Sequence, residues 1–465
     1  MEEITGLGAA ELGRHIYHGE LTSTEVVEAH LARAGQLNPG INAITDLQAD
    51  RALRLAAEAD KEWLRKRPSA PLHGVPLTIK SSIAAKGFRY ECGSPLRRGE
   101  VAASDATLVA RLKAVGAIVI GSTNVPEFLM AYETDNAVYG RTNSPLDAEL
   151  TPGGSSGGCS AAVAAGCSAG SFGSDGGGSV RVPAHFCGLY GLKPTPGAIP
   201  RTGHWPGVAG PATVLAGVGP ITRTAEDLNL FLSVTAGSDP GDISSPPSRP
   251  RELPEGELAR EVKVGWFDHA WNTPATTETC TAVHDAALAL RERGFDVERT
   301  ALRGLESAPK VWWQQFGICL RTLIESSVPG GYRLHPLAYD AMASRDEESA
   351  TGYRDLLTGW VQQDHLRLKL QDQMRDRQVL LCPVAAVPAF RHGERSWSVQ
   401  GEEVGYPGAF VYSQVFNLLG VPAASVPVGS SATGLPIGVQ VVGRPWDDFL
   451  VTAVAQELES AFSNA

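Results

Sequence analysis

The sequence has few of the features that would tie a protein to a metal, a membrane or a nucleic acid. Its seven cysteines are widely spaced and form no C-x-x-C pair, which argues against a zinc or redox motif and favours reduced thiols. It has no H-E-x-x-H spacing and no apolar run near the roughly 18 residues that span a bilayer. A net charge of −11 repels phosphate backbones and anionic lipids. We therefore expect no nucleic-acid partner and no membrane contact.

Length and composition are those of a large globular protein. The chain has 465 residues, more than a typical single core holds, so one large domain with insertions or two domains are expected. Hydrophobic residues at 43% and charged residues at 20% match ordinary globular usage. The segment Met1-Glu2-Glu3-Ile4-Thr5 lacks the basic and apolar regions of a secretory signal, so a cytoplasmic location is expected.

Helix-like and strand-like patterns alternate along the first half of the chain. Residues 1–65 are predicted to form a helical N-terminal segment of the same domain. Strand-like runs follow at 75–80 and 117–121, with a helix-like stretch at 104–114 between them. Such alternation is typical of an α/β fold with a sheet covered by helices.

The second half of the chain differs from the first in composition and patterning. We assign 66–236 to the core, 237–260 to a Pro/Ser-rich connection and 261–465 to a C-terminal half in which strand-like patterning restarts. Within it, the aromatic-rich stretch 305–410 predicts a lid or a substrate wall, although core aromatics would give the same pattern. These aromatic residues are Trp312, Trp313, Phe316, Tyr332, Tyr339, Tyr353, Trp360, Trp397 and Tyr406.

Two Gly/Ser clusters are the densest chemical signals. The first, at 153–158 (GGSSGG), satisfies the G-x-S-x-G pattern of an α/β-hydrolase elbow, but the residues before it read as a polar loop rather than the required strand. No Gly-Lys-Ser/Thr follows at P-loop spacing. In the second cluster, three glycines before Ser179 would let backbone N–H groups converge as an oxyanion hole requires. A glycine-rich turn capped by serine is the alternative.

Together the clusters resemble the amidase signature family. Residues 153–184 match its core, which reads close to GGSSGG, a small-residue helix, and G-T-D-x-G-G-S-[IV]-R-x-P-A. The family's two serines are as far apart as Ser155 and Ser179, and Lys80 ends a matching G-V-P-x-x-x-K run. Further matches extend over most of the chain. The resemblance implies a large mixed β-sheet core sandwiched between helices, and no metal or organic cofactor.

The resemblance also implies roles for single residues. Ser179 corresponds to the nucleophile, and Ser155 to a bridging serine, usually preceded by a cis peptide, that relays protons to Lys80. The resemblance assigns the oxyanion hole to Gly176, Gly177, Gly178 and Ser179. Ser156, Asp175 and Arg181 are the expected supports of the site, and for Asp175 and Arg181 an ordinary structural ion pair is the alternative. Ser156 is expected to hydrogen-bond Ser155.

Lysine has to act as the base, since neither cluster contains a histidine. A lysine is basic near neutral pH only if its ammonium form is destabilised, and burial among Val75, Leu77 and Ile79 would do this. His73 and His185 lie nearest the clusters in sequence, but we expect each to be a surface or packing residue.

The sequence gives fewer indications of substrate specificity than of the reaction. Residues that line the acyl pocket in similar enzymes fall on Leu129 and Met130, for which plain core is the alternative. Two departures from the family pattern, Ser81-Ser82 after the lysine and Ser174 and Gly176 in place of threonines, leave the triad intact but affect its surroundings. With the aromatic stretch, these features favour bulky hydrophobic or aryl substrates.

The sequence therefore predicts a serine hydrolase that cleaves carboxylic amides, with esters and aryl carbamates as further candidates, through an acyl-enzyme on Ser179. Its expected partner is a small-molecule amide or carbamate, and a homodimer is left open. Two alternatives stay open: the glutaminase-type component of a tRNA-dependent amidotransferase, and a scaffold that has lost its chemistry. The intact Lys80, Ser155 and Ser179 argue against the last.

Overall fold

The protein is described by a computed structural model that covers residues 2–68, 70–207, 213–246, 250, 258–338 and 352–463. In this part of the chain the helices are α1 (Glu2–Gly6), α2 (Ala9–His18), α3 (Ser23–Ile41), α4 (Ala49–Arg65), α5 (Thr107–Ala114), α6 (Gly157–Ala164), α7 (Arg181–Cys187), α8 (Ala225–Thr235), α9 (Leu258–Glu261), α10 (Thr277–Glu292), α11 (Ala308–Trp312), α12 (Cys319–Ser327), α13 (Tyr353–Gln373), α14 (Val411–Leu418) and α15 (Asp448–Phe462). None of these described helices combines the length and the apolar character needed to cross a bilayer.

The strands form one large sheet and one small hairpin. They are β1 (Ile44–Leu47), β2 (Pro76–Lys80), β3 (Ile118–Thr123), β4 (Gly170–Asp175), β5 (Tyr190–Lys193), β6 (Gly217–Thr222), β7 (Lys263–Trp266), β8 (Asp296–Arg299), β9 (Val379–Pro383), β10 (Ser396–Val399), β11 (Glu402–Gly405), β12 (Ala423–Ser430) and β13 (Pro436–Gly443). Eleven lie in the order β1-β3-β2-β4-β6-β5-β12-β13-β9-β7-β8, and β10 pairs only with β11.

The sheet is mixed, as the resemblance implied. Strand β2 runs parallel to β3 and β4, and β7 runs parallel to β8 and β9. In the middle of the sheet, the neighbouring pairs β4–β6, β6–β5, β5–β12 and β12–β13 are antiparallel. Strands from before and after the connection at 237–260 therefore share one sheet. Residues 247–249 and 251–257 of that connection lie outside the described part.

The N-terminal segment is helical with one exception. Helix α3 begins with a capping box, in which Thr22 Oγ1 accepts the N–H of Glu25 at 3.1 Å and the Glu25 carboxylate accepts the N–H of Thr22 at 2.8 Å. The expectation of a purely helical 1–65 is wrong at β1, which pairs antiparallel with β3. Four residues are too short a run for periodicity to separate a strand from a helix-to-helix turn.

The stretch 305–410 is not one irregular lid. It contains the long helix α13, a buried strand of the main sheet, β9, and the hairpin β10–β11. Its aromatic residues divide accordingly, since some line the site described below and others pack in the core. Tyr339 and the side chain of Tyr353 lie outside the described part of the structure.

Close backbone packing positions the first Gly/Ser cluster. Helix α6 is fully buried over most of its length, and a Cβ at Gly158 would lie 2.5 Å from the backbone nitrogen of Asn124. Only glycine fits such an approach. The predicted small-residue helix is thus confirmed, and it brings residues 153–158 against the ends of β2 and β3.

Candidate functional site

Lys80 is the last residue of β2 and is completely buried. Its Nζ donates hydrogen bonds to Ser155 Oγ and Ser156 Oγ, both at 2.8 Å, and to the carbonyl oxygen of Ser174 at 3.3 Å. Burial lowers the pKa of the Lys80 amine to about 7. An amine in this state is partly neutral at physiological pH and can accept a proton.

The apolar neighbours named from the sequence are not what surrounds the amine. Side chains alternate along a strand, so Leu77 and Ile79 face the main core while Thr78 and Lys80 face the other side. There Thr78 Oγ1 donates to Ser171 Oγ at 3.0 Å. The lysine is therefore desolvated by a small-residue, hydroxyl-rich layer rather than by Val75, Leu77 and Ile79.

The two serines of the first cluster both turn toward the lysine. The peptide between Gly154 and Ser155 is cis, as the resemblance implied. Ser156 was expected to hydrogen-bond Ser155, and this is wrong, because Ser156 Oγ binds Lys80 and donates to the carbonyl oxygen of Ser174 at 3.3 Å. Its backbone N–H also donates to the carbonyl oxygen of Ser179 at 3.2 Å, which joins the two Gly/Ser clusters.

Ser179 lies in the loop between β4 and α7, and it is partly exposed. Within the described residues its hydroxyl has no hydrogen-bond partner. It lines two adjoining cavities, whereas Ser155 lines one of them. The side chain expected to be the nucleophile is thus the one most open to a bound molecule.

A buried ion pair holds this loop. Burial alone opposes ionisation of Asp175, but the charge and hydrogen bonds of Arg181 outweigh it and keep the pKa of the carboxyl below its usual range. Arg181 donates from Nε to Asp175 Oδ2 at 3.0 Å and from Nη2 to Oδ1 at 2.9 Å, and it also binds Asn417 and Gln440. Asp175 and Arg181 thus form a buried ion pair, and the N–H groups of Gly178 and Val180, which donate to Asp175, connect this pair to the loop.

Of the four residues expected to form the oxyanion hole, one is already engaged. The N–H of Gly178 donates to Asp175 Oδ1 at 2.7 Å, so it is directed at that carboxylate and the prediction for Gly178 is wrong. Gly176, Gly177 and Ser179 line the cavities. The carbonyl oxygen of Gly176 accepts a hydrogen bond from Trp312 Nε1 at 3.0 Å, and that of Gly177 accepts one from the Tyr132 hydroxyl at 2.9 Å.

The first cavity, here the aromatic chamber, spans about 510 Å³ of space not filled by atoms, open solvent at its mouth included. It is lined by Leu129, Met130, Ala131, Tyr132, Gly177, Ser179, Trp312, Trp313, Phe316, Gly317, Tyr406, Pro407 and Gln414. Phe316 stacks on Trp312 with ring centroids 5.3 Å apart. The predicted substrate-binding residues Leu129 and Met130 are both brought here, although Met130 also packs in a small core cluster.

The second cavity, here the polar chamber, spans about 520 Å³ of space not filled by atoms, open solvent at its mouth included. It is lined by Phe128, Leu129, Ser155, Ser174, Asp175, Gly176, Ser179, Arg201, His204, Pro206, Ala216, Gly217, Val218, Phe316 and Leu320. Leu129, Ser179 and Phe316 line both chambers. Ser179 therefore stands at the junction, with the ring of Phe316 beside it.

The histidines expected to be inert are packing residues. His73 is buried against the carbonyl oxygen of Ala59, with Nε2 3.0 Å away. His185 accepts the N–H of Gly438 through Nδ1 at 2.6 Å, and burial lowers its pKa to about 4. His204, which the sequence reasoning missed, lines the polar chamber 3.4 Å from Ser82 Oγ. Burial, and then the charge of Lys80, lower the pKa of His204 to about 3.

Comparison with known proteins agrees with this geometry. The family model described as Amidase matches residues 25–452. Human fatty-acid amide hydrolase 2 is 30% identical over 508 aligned residues, which cover 99% of this chain and 90% of that protein. The A-type component of the glutamyl-tRNA(Gln) amidotransferase of Thermus thermophilus is 33% identical over 489 residues, covering 98% of each.

Solved structures give the same result. A bacterial aryl acylamidase, itself described as one of the amidase signature enzymes, superposes with a TM-score of 0.83 at 25% identity. The superposition covers 98% of this chain and 96% of that one. Both the sequence matches and the mixed sheet extend over nearly the whole chain. The chain therefore belongs to the amidase signature family.

Proposed function

We propose that this protein is a serine hydrolase that cleaves carboxylic amide C–N bonds through an acyl-enzyme on Ser179. One observation carries the proposal. The buried amine of Lys80, with a pKa of about 7, donates a 2.8 Å hydrogen bond to Ser155 Oγ at the edge of a cavity that also exposes Ser179. A base, a relay hydroxyl and an open hydroxyl are the parts that activation of a serine requires.

The first step forms a bond between Ser179 Oγ and the substrate carbonyl carbon. The proton of Ser179 passes to Ser155 Oγ, whose own proton moves to the neutral Lys80 amine. The carbonyl electron pair moves onto oxygen, and the N–H groups of Gly176, Gly177 and Ser179 are the proposed donors to the resulting oxyanion. Their glycine-rich backbone lets them approach it without side-chain obstruction.

The second step breaks the C–N bond. The protonated Lys80 returns its proton through Ser155 to the leaving nitrogen, and the acyl group stays on Ser179. Water then attacks the acyl ester and loses a proton through the same relay to Lys80. The bond between the acyl carbon and Ser179 Oγ breaks, the relay returns the proton to Ser179 Oγ, and a carboxylic acid is released. The charge of the lysine thus alternates once in each half-reaction, which a pKa near 7 allows.

The proposed substrates have a bulky apolar or aryl group. The aromatic chamber supports this, because its lining is dominated by Tyr132, Trp312, Trp313, Phe316 and Tyr406. Aromatic rings give such a pocket large contact area at fixed geometry. Esters and aryl carbamates present the same reacting carbonyl, so we include them as further substrates.

A second function has its own support. The amidotransferase component of Thermus thermophilus is as similar to this chain as the hydrolases are, so a glutaminase role within a complex is the alternative proposal. The aromatic chamber argues against it, since a glutamine side chain offers little apolar surface to five rings. Glutaminase activity that appears only with a partner protein would favour the alternative.

The test is a panel of matched anilide, aryl ester and aryl carbamate substrates, with release of the arylamine or phenol as the readout. We expect wild type to act on at least the anilide and Ser179→Ala to lose at least about 10,000-fold in kcat. Retained activity in a folded Ser179→Ala protein would contradict the mechanism. Inactivity of wild type on every member would move the amidotransferase alternative ahead.

A further inference from the structure

The polar chamber contains a cationic side chain that the proposed mechanism does not use. Arg201 lines this chamber and is only 9% exposed. Its Nη2 donates to Ser244 Oγ at 3.0 Å, but within the described residues Nε and Nη1 have no hydrogen-bond partner. A buried guanidinium with donors left over is unusual, because unsatisfied buried donors are costly.

The carboxylate nearest to Arg201 does not satisfy it. Asp242 accepts the backbone N–H of Arg201 at 2.8 Å through Oδ2, and the same oxygen is 3.8 Å from Nε, beyond hydrogen-bond distance. It compensates part of the charge without using the planar donor edge of the guanidinium. In the guanidinium, Nε and Nη1 lie on different edges, and each edge that fits a carboxylate with two parallel hydrogen bonds also includes Nη2, which has a second N–H besides the one that binds Ser244.

The other ionisable groups of the polar chamber are already engaged. Asp175 is enclosed by Arg181 and by backbone N–H groups. His204 has both ring nitrogens near polar partners, Ser82 Oγ at 3.4 Å and the carbonyl oxygen of Pro206 at 3.2 Å. Among the described groups that line this chamber, Arg201 is thus the charged one with free donors.

We propose that Arg201 binds a carboxylate of the substrate in the polar chamber. The proposal rests on the proposed function and narrows its substrate class. Because Ser179 lies at the junction of the chambers, a carbonyl held there directs its two substituents into different chambers. The substrate is then an amide with an apolar or aryl group on one side of the scissile bond and a carboxylate on the other.

Two substrate pairs test this without assuming which side carries the charge. The first is benzoylglycine against benzoylglycinamide, followed by benzoate release. The second is succinic acid monoanilide against its primary amide, followed by aniline release. In at least one pair we expect wild type to favour the carboxylate by about 10- to 100-fold in kcat/KM, as a charge-assisted hydrogen bond allows.

Arg201→Gln should abolish that preference, mainly by raising KM for the carboxylate member. Arg201→Lys should keep part of the preference. The matched control is Arg111→Gln, since Arg111 binds the carbonyl oxygens of Thr235, Gly237 and Ser238 close to the same connection but lines neither chamber. It should keep the full preference.

The outcomes separate the two proposals. Suppose that neutral amides are cleaved in a Ser179-dependent way. If neither pair then shows a preference for the carboxylate in wild type, or if the preference survives Arg201→Gln, the inference about Arg201 is wrong and the proposed function stands. If wild type cleaves nothing, calorimetry on Ser179→Ala decides instead. In Ser179→Ala, the carboxylate member of one pair should bind at least about tenfold tighter than the neutral member. In the double variant that also carries Arg201→Gln, the two members should bind equally. Equal binding in the Ser179→Ala single variant overturns the inference. The wild-type and Ser179→Ala measurements hold even if Arg201→Gln does not fold.

Discussion

Two regions meet at Ser179, and they are built in different ways. The catalytic floor of the proposed mechanism is formed by Lys80, Ser155, Ser156 and Ser174, which are buried and are joined by hydrogen bonds. The aromatic wall, formed by Trp312, Trp313, Phe316 and Tyr406, consists of half-buried and buried rings that stack and contact a cavity. Chemistry needs fixed distances between polar atoms, whereas recognition of apolar groups needs area.

The two regions also touch. Trp312 donates to the carbonyl oxygen of Gly176, and the ring of Phe316 occupies the space that a side chain at position 176 would need. The sequence departs from the family's commoner threonine at this position, and the structure gives a reason, because the wall residue fills the place of the missing side chain. In the proposed mechanism, the residues for reaction and those for specificity are therefore separate except at Gly176, where the two regions are in contact.

The largest expected effect lies in the catalytic floor. Lys80→Ala removes the base and should lower kcat by about 1,000- to 10,000-fold for every substrate alike, because general-base catalysis contributes about this much. Steady-state kinetics on the anilide panel, with circular dichroism to show folding, measures it. Lys86→Ala is the matched control, since this exposed lysine follows on the same loop. A loss confined to one substrate class would break the comparison.

The next effect lies at the contact between floor and wall. Gly176→Ala places a methyl group against Phe316 and should displace the oxyanion donors, lowering kcat by about 100- to 1,000-fold. Phe316→Ala in the same chain should restore part of the loss by making room. Gly35→Ala is the control, because a Cβ there meets nothing within 4 Å. No rescue by the second substitution would mean that Phe316 does not set the conformation of this loop.

The pH dependence sharpens the account of the floor. Burial lowers the pKa of Lys80 to about 7, and the neutral amine is the reactive form in the proposed mechanism. kcat/KM should therefore rise about tenfold per pH unit below pH 7 and level off above it, as the amine loses its proton. A profile that keeps rising toward pH 10 would show that the lysine titrates with an ordinary pKa and is solvated.

The smallest effect lies in the aromatic wall. Trp313→Ala removes one ring from the aromatic chamber and should lower kcat/KM for aryl substrates by about two- to tenfold, mainly by raising KM, since one aromatic contact contributes about 0.5–1.5 kcal/mol. A small aliphatic amide should be cleaved as by wild type. Trp63→Ala is the control, because Trp63 lies on helix α4 and lines neither chamber. An equal loss for aliphatic and aryl amides would assign Trp313 to the chemistry instead.

Much of the fold and of the floor could be predicted from the sequence. The two Gly/Ser clusters and the lysine lie in short continuous motifs, so the resemblance identified them residue by residue, and the mixed sheet followed. What surrounds Lys80 could not be predicted, because the pleat of β2 turns Leu77 and Ile79 away from the amine. The partner of Ser156 was missed for a similar reason, since it depends on side-chain direction.

The wall and the polar chamber were harder to foresee. Trp312 and Gly176 are 136 residues apart, and Arg201 follows the clusters in a loop without a chemical motif. Only the tertiary fold brings such segments together, because Trp312 lies on helix α11 and Arg201 in a loop. A signal existed in the sequence for Gly176, as a departure from the family pattern, but not for the ring that takes its place.

The most direct test of the central claim is to locate the covalent adduct. Wild type, Ser179→Ala and Ser155→Ala are treated with a fluorophosphonate, and intact-mass and peptide mass spectrometry assign the modified residue. We predict stoichiometric labelling of wild type at Ser179, none of Ser179→Ala, and slowed labelling of Ser155→Ala at the same serine. An adduct on Ser155 or Ser156, or full labelling of Ser179→Ala, would contradict the account.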